Sequence, residues 1–176
     1  MHPALDMLTD YASHHRDRRN IASHFVAVPT MVFALALMLS RPEFMLNGWV
    51  LTPAWMLFGA AAAWYLTSGF PLLGLAVSAV LAALVALGHR AGHGGGTAAW
   101  LGWSIGLLAL GWLIQSVGHW YEGKKPAFAE DVSALVVAPM FVTAEALFAL
   151  GIGKRLMTQI EQRVGPRVLR DLARIA

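Results

Sequence analysis

The stretch Ala98-Ala-Trp100-Leu-Gly-Trp103-Ser-Ile-Gly-Leu-Leu-Ala-Leu-Gly-Trp112-Leu-Ile-Gln115-Ser-Val-Gly118 carries no charged residue and runs directly into His119-Trp-Tyr121-Glu122-Gly-Lys-Lys-Pro126. An uncharged apolar run of roughly 20 residues is what a helix needs to cross the hydrocarbon core of a bilayer. Four more apolar blocks accompany it: Phe25–Ser40, Gly48–Leu66, Phe70–Gly88 and Ser133–Ile152. The first is short for a span, and the last contains Pro139 and Glu145. Across all 176 residues, 57% are hydrophobic and only 13% charged, with mean hydropathy +0.58. That charge fraction is about half the globular average. The expected fold class is therefore all-α, a polytopic membrane bundle of four to five transmembrane helices forming a single domain over residues 1–176. Within it, residues 1–24 form an N-terminal histidine segment, 25–152 the helical bundle and 153–176 an amphipathic basic tail.

Charge placement orients the spans. Arg16, Arg18 and Arg19 precede the first block, and Lys124 and Lys125 follow the fourth. Four crossings put both clusters on one side, which the positive-inside rule makes cytoplasmic. That membrane is the inner membrane in a bacterium or the endoplasmic reticulum in a eukaryote. The polar start, with Asp6, Asp10 and three arginines before Asn20, has no apolar core of the signal-peptide kind. A net charge of +3 whose basic residues flank spans points to membrane lipids as partners and not to nucleic acid. Zero cysteines leave only nitrogen and oxygen to hold any metal.

A full crossing by the fifth block would strand Lys154 and Arg155 outside, so Pro139 is expected to break it into a tilted or re-entrant piece. In the tail, Leu156, Ile160, Val164, Val168, Leu172 and Ile175 recur near helical spacing among Arg163, Arg167, Arg170 and Arg174. This predicts a basic interfacial C-terminal helix, interrupted at Gly165-Pro166. Gly92–Gly96 predicts a turn between the third and fourth spans. Gly59 with Ala60–Ala63 offers a close-packing surface and leaves a homo-oligomer open.

Seven histidines make the chemistry worth following. In Tyr11-Ala-Ser-His14-His15-Arg-Asp-Arg-Arg-Asn20-Ile-Ala-Ser-His24, Asn20 and His24 share a helix face. His15 and His24 would lie on opposite faces of one helix at about 100° per residue. They converge only if the chain breaks between them, and Asp17 can N-cap a helix beginning at Arg18. Gln115, His119 and Glu122 form one stripe at i, i+4 and i+7. That stripe suits a divalent metal. It equally suits a plain span end, with His119 capping and Glu122 paired to Lys125. His89 and His93 are also four apart, but the glycines after them favour an exposed turn on the other membrane face. His2 is terminal, and His14 points to solvent or supports its neighbour. Glu145 is either a functional intramembrane carboxyl or an Arg-paired structural one.

Three ordered motifs resemble the membrane-bound 2-hydroxy fatty acid dioxygenases. His15, Asn20, His24 and Pro29 match the first, after a tyrosine-bearing start. Gln115-Ser-Val-Gly118-His119, Glu122, Lys124-Lys125 and Pro126-Ala127 match the second. Ala138-Pro139-Met-Phe141 with Glu145 matches the third. Two departures, Arg18-Arg19 where proline is frequent and Ser116 where phenylalanine is usual, remove no candidate ligand. The resemblance implies an Fe(2+)-dependent dioxygenase using O2. It would decarboxylate a long-chain 2-hydroxy fatty acid oxidatively to CO2 and the acid one carbon shorter. It implies His15, His24 and His119 as iron ligands, with Glu122 a further ligand or a base. Asn20 and Gln115 would orient ligands or substrate, and Arg19, Lys124 and Lys125 would attract the carboxylate headgroup. A di-iron hydroxylase fits poorly, because the chain lacks an HxxHH box. A non-enzymatic haem or metal carrier, with His24 and His119 axial, is the rival of a different class. A transporter fits less well, since no inverted repeat is visible.

Overall fold

Apolar periodicity, caps and glycine turns set the element boundaries in the computed structural model, which describes residues 3–125 and 133–171. Among these residues are seven helices: α1 (Pro3–Ser13), α2 (Arg18–Met38), α3 (Pro53–Thr67), α4 (Pro71–Gly92), α5 (Thr97–Glu122), α6 (Ala134–Ala149) and α7 (Lys154–Val164). A two-stranded antiparallel hairpin, β1 (Phe44–Leu46) and β2 (Trp49–Leu51), completes the set. The chain divides into two compact units, Met1–Val28 with Leu113–Ala176, and Pro29–Trp112.

The all-helical membrane fold stands, with a different distribution of spans. Helices α2, α4 and α5 are long and apolar enough to cross a bilayer, and α6 with α7 makes a fourth if that bent pair counts as one. The first block is not short, because Asp17 starts α2 well before Phe25. The second block does fall short. Its opening residues belong to the hairpin, where Asn47 and Gly48 both take positive φ, as a two-residue primed turn requires. Thr52 and Pro53 then start α3, which has 15 residues.

In the Pro29–Trp112 unit, glycine lets helices meet backbone to backbone. A Cβ at Gly74 would run into the Tyr65 carbonyl, and one at Gly88 would lie 2.8 Å from the Leu37 nitrogen. The predicted turn falls between α4 and α5, where the Arg41 guanidinium donates to the carbonyls of Gly92 and Gly95. A Cβ at Gly59, by contrast, would meet nothing within 4 Å, so this glycine is not a packing contact within the chain.

In the other unit, α1 packs on α6 and α7 through buried Leu5, Leu8, Tyr11, Met140, Phe141 and Ile160. Pro139 does not break the fifth block. It sits inside α6, and its carbonyl accepts from Thr143 Oγ1 at 2.8 Å. The break comes instead at Gly151 and Gly153, both at positive φ, where α6 and α7 turn by 116°. The tail also departs from expectation. Helix α7 stops at Gly165 (φ 82°), and Pro166 cannot rebuild the lost ladder. Beyond it the chain is extended, and Asp17 and Val168 form a parallel bridge. His2, Pro126-Ala127 and the tail beyond Asp171 lie outside the described residues.

Candidate metal centre

The site begins with a helix that ends and another that starts. Helix α1 stops at Ser13, and Asp17 caps α2, with Arg19 N–H donating to Oδ1 at 2.8 Å and Ile21 N–H to its carbonyl at 3.1 Å. The intervening turn swings His15 back over the first turns of α2. His15, His24 and His119 are 0%, 0% and 4% exposed. One ring nitrogen from each lies within 4.8 Å of the others.

Hydrogen bonding shows which nitrogens face inward. His15 Nδ1 lies 2.7 Å from the Tyr11 carbonyl, and His24 Nδ1 lies 2.9 Å from the Asn20 carbonyl. A carbonyl only accepts, so each Nδ1 carries the proton and each Nε2 keeps its lone pair. The two Nε2 atoms face each other at 3.1 Å. A hydrogen bond between them would require a protonated ring, but burial, and then His24 beside it, hold His15 well below the usual imidazole range. Among the described residues, neither nitrogen of His119 has a hydrogen-bond partner. Three buried imidazoles, two with their Nε2 lone pairs turned toward each other and the third close enough to bring a ring nitrogen to the same point, are a donor set for a metal ion. No thiolate is needed, and the sequence has no cysteine to supply one.

The carboxylate of Glu122 meets the turn that carries His15. It accepts the N–H of Arg16 at 3.0 Å on both oxygens, that of Asp17 at 2.8 Å, and Asn20 Nδ2 at 3.2 Å. It thereby holds the turn between His15 and His24 to the end of the helix that carries His119. Asn20 also donates to the His14 carbonyl at 3.1 Å, which leaves its Oδ1 buried and facing Gly118. A Cβ at Gly118 would lie 2.6 Å from that oxygen and would strike Ser23 Oγ. Only glycine lets α2 and α5 meet this closely. Gln115 is buried one turn before His119.

Two of the three expected headgroup cations have other partners. Arg19 binds Asp17 at 2.7 and 3.0 Å, donates to the Arg170 carbonyl at 2.7 Å, and lies 4.5 Å above the Tyr121 ring. Burial alone would raise the Asp17 carboxyl. Hydrogen bonds from the Arg19 side chain and from the Arg170 and Arg19 backbones outweigh it and bring the group to about 2. Lys124 Nζ donates to the Ser13 carbonyl at 2.8 Å, and Lys125 is exposed. Glu145 takes the Arg-paired form, 2.9 Å from Arg167. His93 pairs with Glu43 at 3.4 Å, as a turn histidine does.

Sequence reasoning missed Tyr11, whose ring stacks on His15 at 4.1 Å and 7° and whose carbonyl sets its tautomer. The signal was available, since Tyr11 stands four residues before His15 on a helix. It also gave no reason for Gly118 and did not anticipate Val168 and Arg170.

Fold and site together define a class: an integral membrane protein whose helices bury a three-histidine centre able to hold a metal ion. Comparison with known proteins narrows the class. The chain belongs to the Mpo1-like family, whose model, described as 2-hydroxy-palmitic acid dioxygenase Mpo1-like, matches residues 1–150. The 2-hydroxy-palmitic acid dioxygenase MPO1 of Saccharomyces cerevisiae is 30% identical over 154 residues, covering 86% of this chain and 83% of the yeast protein. No solved structure matches.

Proposed function

We propose that this chain is an Fe(2+)-dependent dioxygenase that oxidatively decarboxylates long-chain 2-hydroxy fatty acids. The observation that carries the proposal is the convergence of three buried imidazoles, two of them with tautomers set by backbone carbonyls. Family membership supplies the substrate class. In the reaction, the bond between C1 and C2 breaks, C1 leaves as CO2, and C2 becomes the carboxyl of an acid one carbon shorter. One O2 accepts all four electrons and one water forms, so no nicotinamide or flavin is required.

His15, His24 and His119 would hold the iron, for which imidazole is a suitable ligand. Bound ferrous iron would supply the one-electron chemistry that lets O2 react with a closed-shell hydroxy acid. The protein's own contribution is positional. Tyr11 and Asn20 carbonyls keep the Nε2 lone pairs inward, Glu122 holds the turn that carries His15, and Gln115 lines the helix face beside His119. Lys125 offers positive charge near that end of α5, where a carboxylate headgroup would arrive, and the acyl chain would lie among apolar helices. The haem-carrier alternative meets a steric objection. The rings of His24 and His119 stand 5.2 Å apart, centre to centre, which leaves no room for the plane of a macrocycle between those two.

The test is direct. Purified protein, loaded with ferrous iron and given 2-hydroxypalmitate in air, should consume one O2 per acid and release pentadecanoic acid and CO2. Iron-loaded protein that leaves the acid intact would overturn the proposal.

A further inference from the structure

The extended segment after Gly165 contacts every element that carries a candidate ligand, although it lies beyond the residues matched by the family model. Val168 N–H donates to the Arg16 carbonyl at 2.9 Å, and Arg18 N–H returns to the Val168 carbonyl at 2.9 Å. These two bonds flank Asp17 in the turn that follows His15. Arg16 Nη1 reaches back to the Gly165 carbonyl at 2.8 Å. Arg170 then makes three contacts at once. Its backbone N–H donates to Asp17 Oδ2 at 2.9 Å, its carbonyl accepts from Arg19 at 2.7 Å, and its Nη1 donates to the Glu122 carbonyl at 2.6 Å. The guanidinium occupies the space a side chain would need at Gly123, which takes φ 67° at the end of α5. A cation there meets the unpaired carbonyls and negative dipole of a helix C-terminus.

We infer that Gly165–Asp171 is a positioning strap for the three-histidine centre, with Arg170 as its fastening residue. One residue joins the cap of the helix bearing His24 to the end of the helix bearing His119, and the bridge beside it pins the turn bearing His15. The strap itself supplies no ligand. Its effect is on how well three imidazoles stay convergent, as partners beyond the ligands of metal sites do. The inference rests on the metal-centre reading above.

Affinity for Co(2+) alone, read from its visible absorption in detergent-solubilised full-length protein, tests it without recourse to turnover. Two variants probe separate contacts: R170A removes the guanidinium, and V168P removes the N–H to Arg16. Each should weaken Co(2+) binding about 10-fold or more, as loss of supporting partners does, with far-ultraviolet helical signal unchanged. R170K, which can still donate to the Glu122 carbonyl, should recover most of the loss. R170A and V168P that both bind Co(2+) within twofold of wild type would overturn the strap while leaving the proposed function intact. Wild type that binds no Co(2+) would instead overturn the metal centre, and the strap's role with it.

Discussion

Two pairs of histidines invite opposite readings in sequence and in space. His89 and His93 stand four apart on a helix, the ordinary spacing for two ligands, whereas His15 and His24 stand nine apart. In the structure the well-spaced pair sits at the end of α4, His89 in its last turn and His93 at its C-cap. His93 donates toward the His89 carbonyl and pairs with a half-exposed Glu43. The badly spaced pair is buried with Nε2 facing Nε2, because a capped break intervenes and a third imidazole arrives from α5. Spacing along one helix is thus a poor guide to a site assembled from three elements. Convergence of lone pairs away from water is the better criterion.

That contrast can be broken by substitution. His24→Ala or His119→Ala should abolish stoichiometric iron and lower turnover by more than about 100-fold, beyond the range for supporting partners. Metal analysis of each purified variant, with oxygen uptake, checks this. Glu122→Gln should follow, weakening metal affinity about 10- to 100-fold, since an amide cannot accept all the N–H groups the carboxylate accepts. Titration with Co(2+) reads that loss. His93→Ala should leave iron content and turnover within about twofold, because it removes only an exposed pair of small worth. Loss of iron in that variant would reverse the roles of the two histidine pairs.

Two glycines differ as sharply as the two histidine pairs. Gly118→Ala places a methyl against Asn20 and Ser23 and should cost about 1–3 kcal/mol, whereas Gly59→Ala meets open space and should stay within about 0.5 kcal/mol. Thermal midpoints in one detergent distinguish them. A smaller effect is expected from pH. The Asp17 carboxyl is depressed in the folded state from 3.8 to about 2. Its contribution is therefore complete above the unfolded value and is lost as pH falls through about 2. Asp17→Asn should remove that acid limb from an unfolding-versus-pH series.

Much of this was legible from residues alone. Asp17 announces its cap, and Gln115, His119 and Glu122 announce a helix face, since both depend on local rules. The hairpin was legible but overlooked. Asn47-Gly48 between apolar residues is a strong turn signal, which hydropathy averaging hid inside a membrane block. Pro139 misled because a proline within an apolar helix removes one backbone bond, the one to the Leu135 carbonyl, without ending the helix. The strap could not be read. An extended segment whose partners are the backbone of Arg16–Arg18 leaves no periodicity, and the helical spacing of Val164 and Val168 mimics another element. Glu122 illustrates the same limit: the N–H groups it accepts belong to Arg16 and Asp17, too far away in sequence for any local rule to announce them.

His15, His24 and His119 should jointly hold one metal ion. Iron analysis combined with X-ray absorption at the iron edge tests it most directly on purified wild-type protein. The expected result is one iron per chain with three imidazoles in its coordination shell, and a shell that collapses in His24→Ala. Protein that retains no iron after loading, or iron whose shell contains no imidazole, would contradict it.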